Sequence, residues 1–235
     1  VVYRRSGARH TATLTPTADE NGHYKAGVWV RDSGAGIGTM SFVDPQRGTF
    51  AGLGHSISDA DTGADLTLLS GEIVPVTITG CIRGAAGSPG ELRGEFAAAP
   101  AGTVLANDAA GVYGSYTGSC TAPALPVANL QEVTPGEAEL WTTVLGTAAQ
   151  PYTIQVERVT MTGSDPNRNL LIRVTDKRLL DATGGVVQGM SGSPIVQNGR
   201  LAAVLTHVLV NDPSRGYAIF ATTMLEKADA VASSK

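Results

Sequence analysis

The chain has 235 residues, of which 42% are hydrophobic, with 29 glycines, 12 prolines and a formal charge of −4. That charge, with no basic stripe to offset it, excludes a nucleic-acid or anionic-membrane surface. The length suits one large domain or two small barrels with a substantial core. There is no run of about 18 apolar residues to span a bilayer. The chain opens on Val1-Val2-Tyr3-Arg4-Arg5 with neither a methionine nor a signal peptide, so a fragment of a longer precursor is expected. Two cysteines, Cys81 and Cys120, leave one disulfide or two separate thiols open.

From Val1 to Val30 the residues alternate, as in His10-Thr11-Ala12-Thr13-Leu14-Thr15, around an Asp19-Glu20-Asn21-Gly22 turn. The pattern predicts a hairpin with one buried face and with His10 and His23 solvated at its edges. The glycine string Gly34-Ala35-Gly36-Ile37-Gly38 resembles a phosphate loop only loosely, because no Lys-Ser/Thr and no helical pattern follow it. Two strands, Thr39–Val43 and Thr49–His55, flank an Asp44–Gly48 turn. Asp59, Asp61, Gly63 and Asp65 then fall at a calcium-loop spacing, but the twelve-position loop with its final Glu is missing. A polar turn is expected there, and no metal or other cofactor anywhere.

Further strands are expected over 71–80, after a turn within 87–96, and over 102–105 and 111–117, and then Pro and Ala gather over 121–126 in a candidate linker. Beyond it come strands near 138–145, 152–160 and 170–175, a hairpin across Asn198-Gly199 and a strand over 216–221. Thr222 could N-cap a closing helix over 223–233. The fold class is therefore all-β, with a first barrel half over 1–120, a second over 127–235 and a short C-terminal helix.

The hexapeptide Gly189-Met190-Ser191-Gly192-Ser193-Pro194 has the form Gly-x-Ser-Gly-[Gly/Ser]-Pro and resembles the nucleophile loop of chymotrypsin-like serine peptidases. Its glycines allow a turn tight enough to expose the Ser191 hydroxyl while the amides of Gly189 and Ser191 converge as an oxyanion hole. A Gly/Ser-rich turn with no chemistry is the alternative. The Gly-x-Ser-x-Gly elbow of α/β-hydrolases is absent, because Ser193 stands at its last position. Upstream, Gly54-His55 ends a strand as the general base of chymotrypsin-like enzymes does, which makes His55 the leading base.

Across nearly the whole chain, GVWVRDSGAGIGTMSFVDP, GLGHSISDADTG, GEIVP, GSPGELRGEF, TDKRLLDATGGVVQGMSGSP and THVLVNDPSRGYAIF together resemble the SpoIVB-type serine peptidases, family S55. The resemblance implies Ser191 as nucleophile, His55 as base and Asp176 as the acid of a triad, since an imidazole must take the hydroxyl proton and a carboxylate must orient the imidazole. Asp59, Asp61 and Asp108 compete for the acid role. Asp176 could instead cap the 177–182 segment and leave a Ser–His pair with another orienter.

By analogy with glutamate-specific relatives, Thr206 and His207 would bind substrate, on the strand that returns past the serine. The family also implies protein substrates, among them the chain itself, and a setting outside the cytoplasm, between the two membranes around a developing spore. Its full-length members add a membrane segment and a PDZ domain, neither of which is in this sequence. A different class remains as the alternative, a catalytically silent module that holds a peptide along the 201–210 strand.

Overall fold

The computed structural model describes residues 1–5, 7–28, 34–59, 62–162 and 165–233. They form two compact units, Val1–Gly36 and Ile37–Lys235. In the first unit, β1 (Val2–Arg5) pairs antiparallel with β2 (Ala8–Thr11), and β3 (Thr17–Ala18) with β4 (Tyr24–Lys25). The Asp19 carboxylate closes the expected turn by accepting the N–H groups of Asn21 and His23 at 2.9 and 3.0 Å.

The buried face expected of this segment is not formed, since every strand residue is exposed. Strands of two to four residues paired only with each other carry too little apolar surface to build a core. His10 stacks on Tyr3 with ring centroids 5.2 Å apart, and His23 lies 3.9 Å from Asp19. Trp29 and Val30 of the expected strand lie outside the described residues.

The second unit begins with β5 (Met40–Asp44), β6 (Thr49–Gly52), β7 (Glu72–Ile73), β8 (Val76–Ile82), β9 (Glu91–Phe96), β10 (Gly102–Asp108) and β11 (Gly111–Tyr116). Five of these make an open sheet in the order β5-β6-β11-β10-β7, and β8-β9 stands apart as a hairpin. Pro75, with no N–H for a ladder, divides the expected 71–80 strand into β7 and β8. The first half is thus an open sheet plus a hairpin rather than a closed barrel.

The rest of the chain supplies β12 (Gly136–Thr142), β13 (Gln150–Val159), β14 (Leu170–Val174), α1 (Lys177–Thr183), β15 (Pro194–Gln197), β16 (Arg200–Leu209), β17 (Asp212–Phe220) and α2 (Ala221–Ala232). Its six strands close a barrel in the order β12-β13-β14-β17-β16-β15. Alternation dictates the interior, with Leu140, Ile154 and Ile172 fully buried. β16 departs from alternation because Leu201–Thr206 are all buried. Some of its residues fill the barrel, while Val204 joins Ala51, Tyr113, Ile219, Met224 and Ala228 in a second cluster formed with α2 and the five-stranded sheet. A strand covered on both sides reads as a continuous apolar run, which explains Leu-Ala-Ala-Val-Leu over 201–205.

The architecture is the expected all-β one with a closing helix. Between its halves, 121–126 carries no regular element. Asn198 and Gly199 have φ of +52° and +73°, as a type I′ hairpin demands. α2 starts one residue before the expected cap. Phe220 occupies the N-cap position without a side-chain bond, and Thr222 lies inside the helix. Both cysteines are free thiols. No helix among the described residues is long and apolar enough to cross a membrane.

Candidate active site

The nucleophile turn is fixed one peptide plane at a time. A trans peptide points its N–H opposite to its C=O, so anchoring a carbonyl aims the next residue's amide. The Gln188 carbonyl accepts from Leu92 N–H at the start of β9 at 2.9 Å, which turns the Gly189 N–H away from that strand. The Met190 carbonyl accepts from Ser193 N–H at 2.9 Å inside the turn, which turns the Ser191 N–H outward. Neither the Gly189 nor the Ser191 amide has a hydrogen-bond partner among the described residues. Gly189 and Gly192 adopt φ of +95° and +97°, and a Cβ on Gly192 would lie 1.9 Å from the Thr39 carbonyl oxygen. Met190 is fully buried and pins the turn to the core.

Ser191 is half-buried, and its hydroxyl donates to the Thr206 carbonyl at 2.7 Å. Thr206 itself is almost fully buried, with its hydroxyl 2.6 Å from the Asn167 carbonyl and 3.0 Å from that of Tyr217. Its side chain therefore fastens the Pro166–Arg168 turn to β16, and what it presents to the site is its backbone carbonyl.

His55 follows a bend in which Leu53 and Gly54 have φ of +66° and +70°. Gly54 is required for close approach, since a Cβ there would lie 2.9 Å from Thr206 Cγ2 and 3.1 Å from Ile219 Cγ2. The bend thus rests directly on β16 and β17. Nδ1 of His55 lies 2.7 Å from the Ser56 carbonyl, which can only accept, so Nδ1 carries a proton and, in the neutral ring, Nε2 holds the lone pair. A backbone carbonyl here does the tautomer-fixing that the resemblance assigned to a carboxylate.

The His55 ring lies 4.9 Å from that of His207 at an interplanar angle of 35°. His207 is half-buried, and its Nδ1 has no hydrogen-bond partner among the described residues. Burial, with smaller contributions from His55 and Arg168, pushes its pKa down to about 4, so its ring is neutral at neutral pH.

Asp176 bonds to Arg178 and Thr153, and none of its hydrogen bonds among the described residues reaches His55. Its carboxylate caps α1 by accepting Arg178 N–H at 2.8 Å, pairs with the Arg178 guanidinium at 2.7 Å and accepts Thr153 N–H at 3.3 Å. Arg178 holds its pKa down at about 2. β14 separates the two regions. Its N-terminal end adjoins the turn bound to Thr206, whereas Asp176 follows its C-terminal end, roughly 16 Å further along at about 3.3 Å per residue.

The competing carboxylates are also engaged. Asp108 accepts Ala110 N–H at 2.8 Å and lies 3.2 Å from Lys227, and Asp59 accepts from Thr62 at 2.9 Å. Asp61 lies outside the described residues. Among the described residues, the carboxylate that connects to the His55 loop is Asp65, which the sequence offered only as part of a polar turn. It accepts the hydroxyls of Ser56 and Ser58, and Ser56 is the residue whose carbonyl holds the imidazole. The only signal was a hydroxyl-rich loop after the histidine. No group of three or more His, Cys, Asp or Glu among the described residues converges as a metal site.

The family model of SpoIVB peptidase S55 matches residues 22–225. Among solved structures, the active form of the Rv3671c protease of M. tuberculosis is 16% identical with a TM-score of 0.39, over 86% of this chain and 93% of that one. Its inactive form is also 16% identical with a TM-score of 0.39, over 61% and 72%. The HtrA-type protease AlgW with a decapeptide is 14% identical with a TM-score of 0.42, over 83% and 62%. No curated protein matches the sequence significantly. With the family model spanning most of its length, the chain belongs to the SpoIVB peptidase S55 family and is a serine peptidase.

Proposed function

We propose that this peptidase cleaves protein segments through an acyl-enzyme on Ser191, with His55 as general base and the Gly189 and Ser191 amides as the oxyanion hole. The observation that carries the proposal is the His55 tautomer, with Nδ1–H bound to the Ser56 carbonyl and Nε2 free to take a proton. Ser191 first leaves the Thr206 carbonyl, a neutral hydrogen bond worth about 0.5–1.5 kcal/mol net. Its Oγ then bonds to the substrate carbonyl carbon as its proton passes to His55 Nε2. The imidazolium returns that proton to the leaving amine nitrogen as the C–N bond breaks. Water, deprotonated by His55, releases the acyl group by the same route.

His207, neutral and 4.9 Å from the His55 ring, would donate a hydrogen bond to the substrate and so narrow specificity. Family membership supports an extracytoplasmic setting around the developing spore and self-cleavage as one of the reactions. The test is incubation of the protein with unfolded protein substrates, with the acyl-enzyme trapped by acid quench and located by mass spectrometry. Cleavage with an adduct on Ser191, absent in Ser191→Ala, is expected. Cleavage that survives in Ser191→Ala would overturn the proposal.

A further inference from the structure

The residue that joins the nucleophile turn to the base-bearing loop is Thr39, immediately before β5. Its N–H donates to the Ser191 carbonyl at 2.8 Å, and its hydroxyl donates to the Gly189 carbonyl at 3.1 Å. Its own carbonyl accepts from Leu53 N–H at 3.2 Å, two residues before His55, and occupies the space a Cβ on Gly192 would need. Gly38 is pressed against the Leu53 side chain, where a Cβ would fall 2.1 Å from Leu53 Cδ2. One residue is thus bonded at three points to both loops that carry the chemistry.

Peptide planarity gives these bonds a consequence. The Ser191 amide lies in the 190–191 plane, between the 189–190 and 191–192 planes, and Thr39 holds the carbonyls of both flanking planes. The 189–190 plane is held at its two ends only, by the Thr39 hydroxyl on the Gly189 carbonyl and by the Val187 carbonyl, which accepts the Met190 N–H at 3.2 Å, and Gly189 at φ +95° has no Cβ to resist its rotation once the first bond is lost. Its rotation would carry the Gly189 carbonyl off the Thr39 hydroxyl and drag the neighbouring amides with it.

We infer that Thr39 is a positioning residue whose side-chain hydroxyl holds the Gly189–Met190 peptide, and so keeps the oxyanion-hole amides aimed for catalysis. The inference rests on Ser191 being the nucleophile. Thr39 touches no reacting atom; it acts through the turn.

The experiment compares Thr39→Val, which keeps the shape and the backbone N–H but lacks the hydroxyl donor, with Thr39→Ser, which keeps the donor. Deleting an oxyanion donor outright costs ~10²–10³ in kcat, so a loosened pair in Thr39→Val should lower kcat by about 10–100-fold with KM little changed. Thr39→Ser should restore most of the loss. Independently of turnover, amide hydrogen exchange over residues 189–192 should quicken in Thr39→Val and match the parent in Thr39→Ser. An unchanged kcat in Thr39→Val would overturn the inference. So would equal impairment of both variants accompanied by a lowered Tm, which marks a packing role, or unchanged exchange over 189–192. If the parent itself shows no serine-dependent turnover, the proposed function fails, and the exchange result alone still decides the role of Thr39.

Discussion

Ser191 donates its hydroxyl hydrogen to the Thr206 carbonyl at 2.7 Å, and Gly54, which delivers His55, packs on the side chain of that same threonine. The proposed nucleophile and base therefore share a support on β16, although they lie far apart in sequence. The resting hydroxyl is parked on backbone rather than on imidazole. Reaching His55 costs one neutral hydrogen bond, a small barrier beside the ~10⁶ in rate that a triad nucleophile typically contributes.

Gly54→Ala tests that shared support. A methyl group there would sit 2.9 Å from Thr206 Cγ2 on a backbone at φ +70°, so overpacking and strain together should cost about 1–3 kcal/mol. Denaturant unfolding should show the loss. Because the displaced element carries His55, kcat should fall even at temperatures where the variant remains folded.

Asp176→Asn separates a structural carboxylate from a catalytic one. Asparagine retains the helix cap but loses the charge paired with Arg178. The folded pKa of about 2 lies below the ordinary 3.8, so the stability it contributes is fully present above about pH 4 and is lost as pH falls towards 2. The variant should melt below the parent at pH 7 and approach it near pH 2, with kcat within a few-fold. A loss approaching the ~10⁴ seen when a triad aspartate becomes asparagine would restore Asp176 to the catalytic machinery.

His207 makes stability depend on pH with the opposite kind of group and the same sign. Its folded pKa of about 4 lies below the ordinary 6.5, so between those values the unfolded chain binds more protons. Tm should therefore fall as pH drops from about 6.5 to 4, and His207→Phe, which cannot take up the proton, should flatten that part of the profile. An equally steep decline in the variant would place the responsible group elsewhere. As a specificity residue, His207→Ala should also change kcat/KM unequally among substrates, by about 1–3 kcal/mol.

Much of this was legible in the sequence because the relevant rules are local. The Asn198-Gly199 hairpin, the alternation in β12 to β14 and the glycines around Ser191 each encode backbone geometry within a few residues. Asp176 stayed open because an N-cap aspartate before Lys177-Arg178 and a triad aspartate look alike in one dimension, and only the fold shows the cap and the Arg178 pair that it makes. The connections made by Asp65 and Thr39 were invisible for a related reason. Their importance comes from bonds to Ser56, Gly189, Ser191 and Leu53, which periodicity does not record. The open first sheet was likewise hidden, since whether β8-β9 closes a barrel or stands apart depends on packing rather than on strand propensity.

The most direct measurement is the rate and position of labelling by a fluorophosphonate, which reacts quickly only with an activated serine. The parent should carry a single adduct on Ser191, formed at a rate that Asp176→Asn hardly changes and that His55→Ala lowers by orders of magnitude. Labelling of His55→Ala as fast as the parent, or an adduct on any other residue, would contradict the assignment of Ser191 and His55 as the catalytic pair.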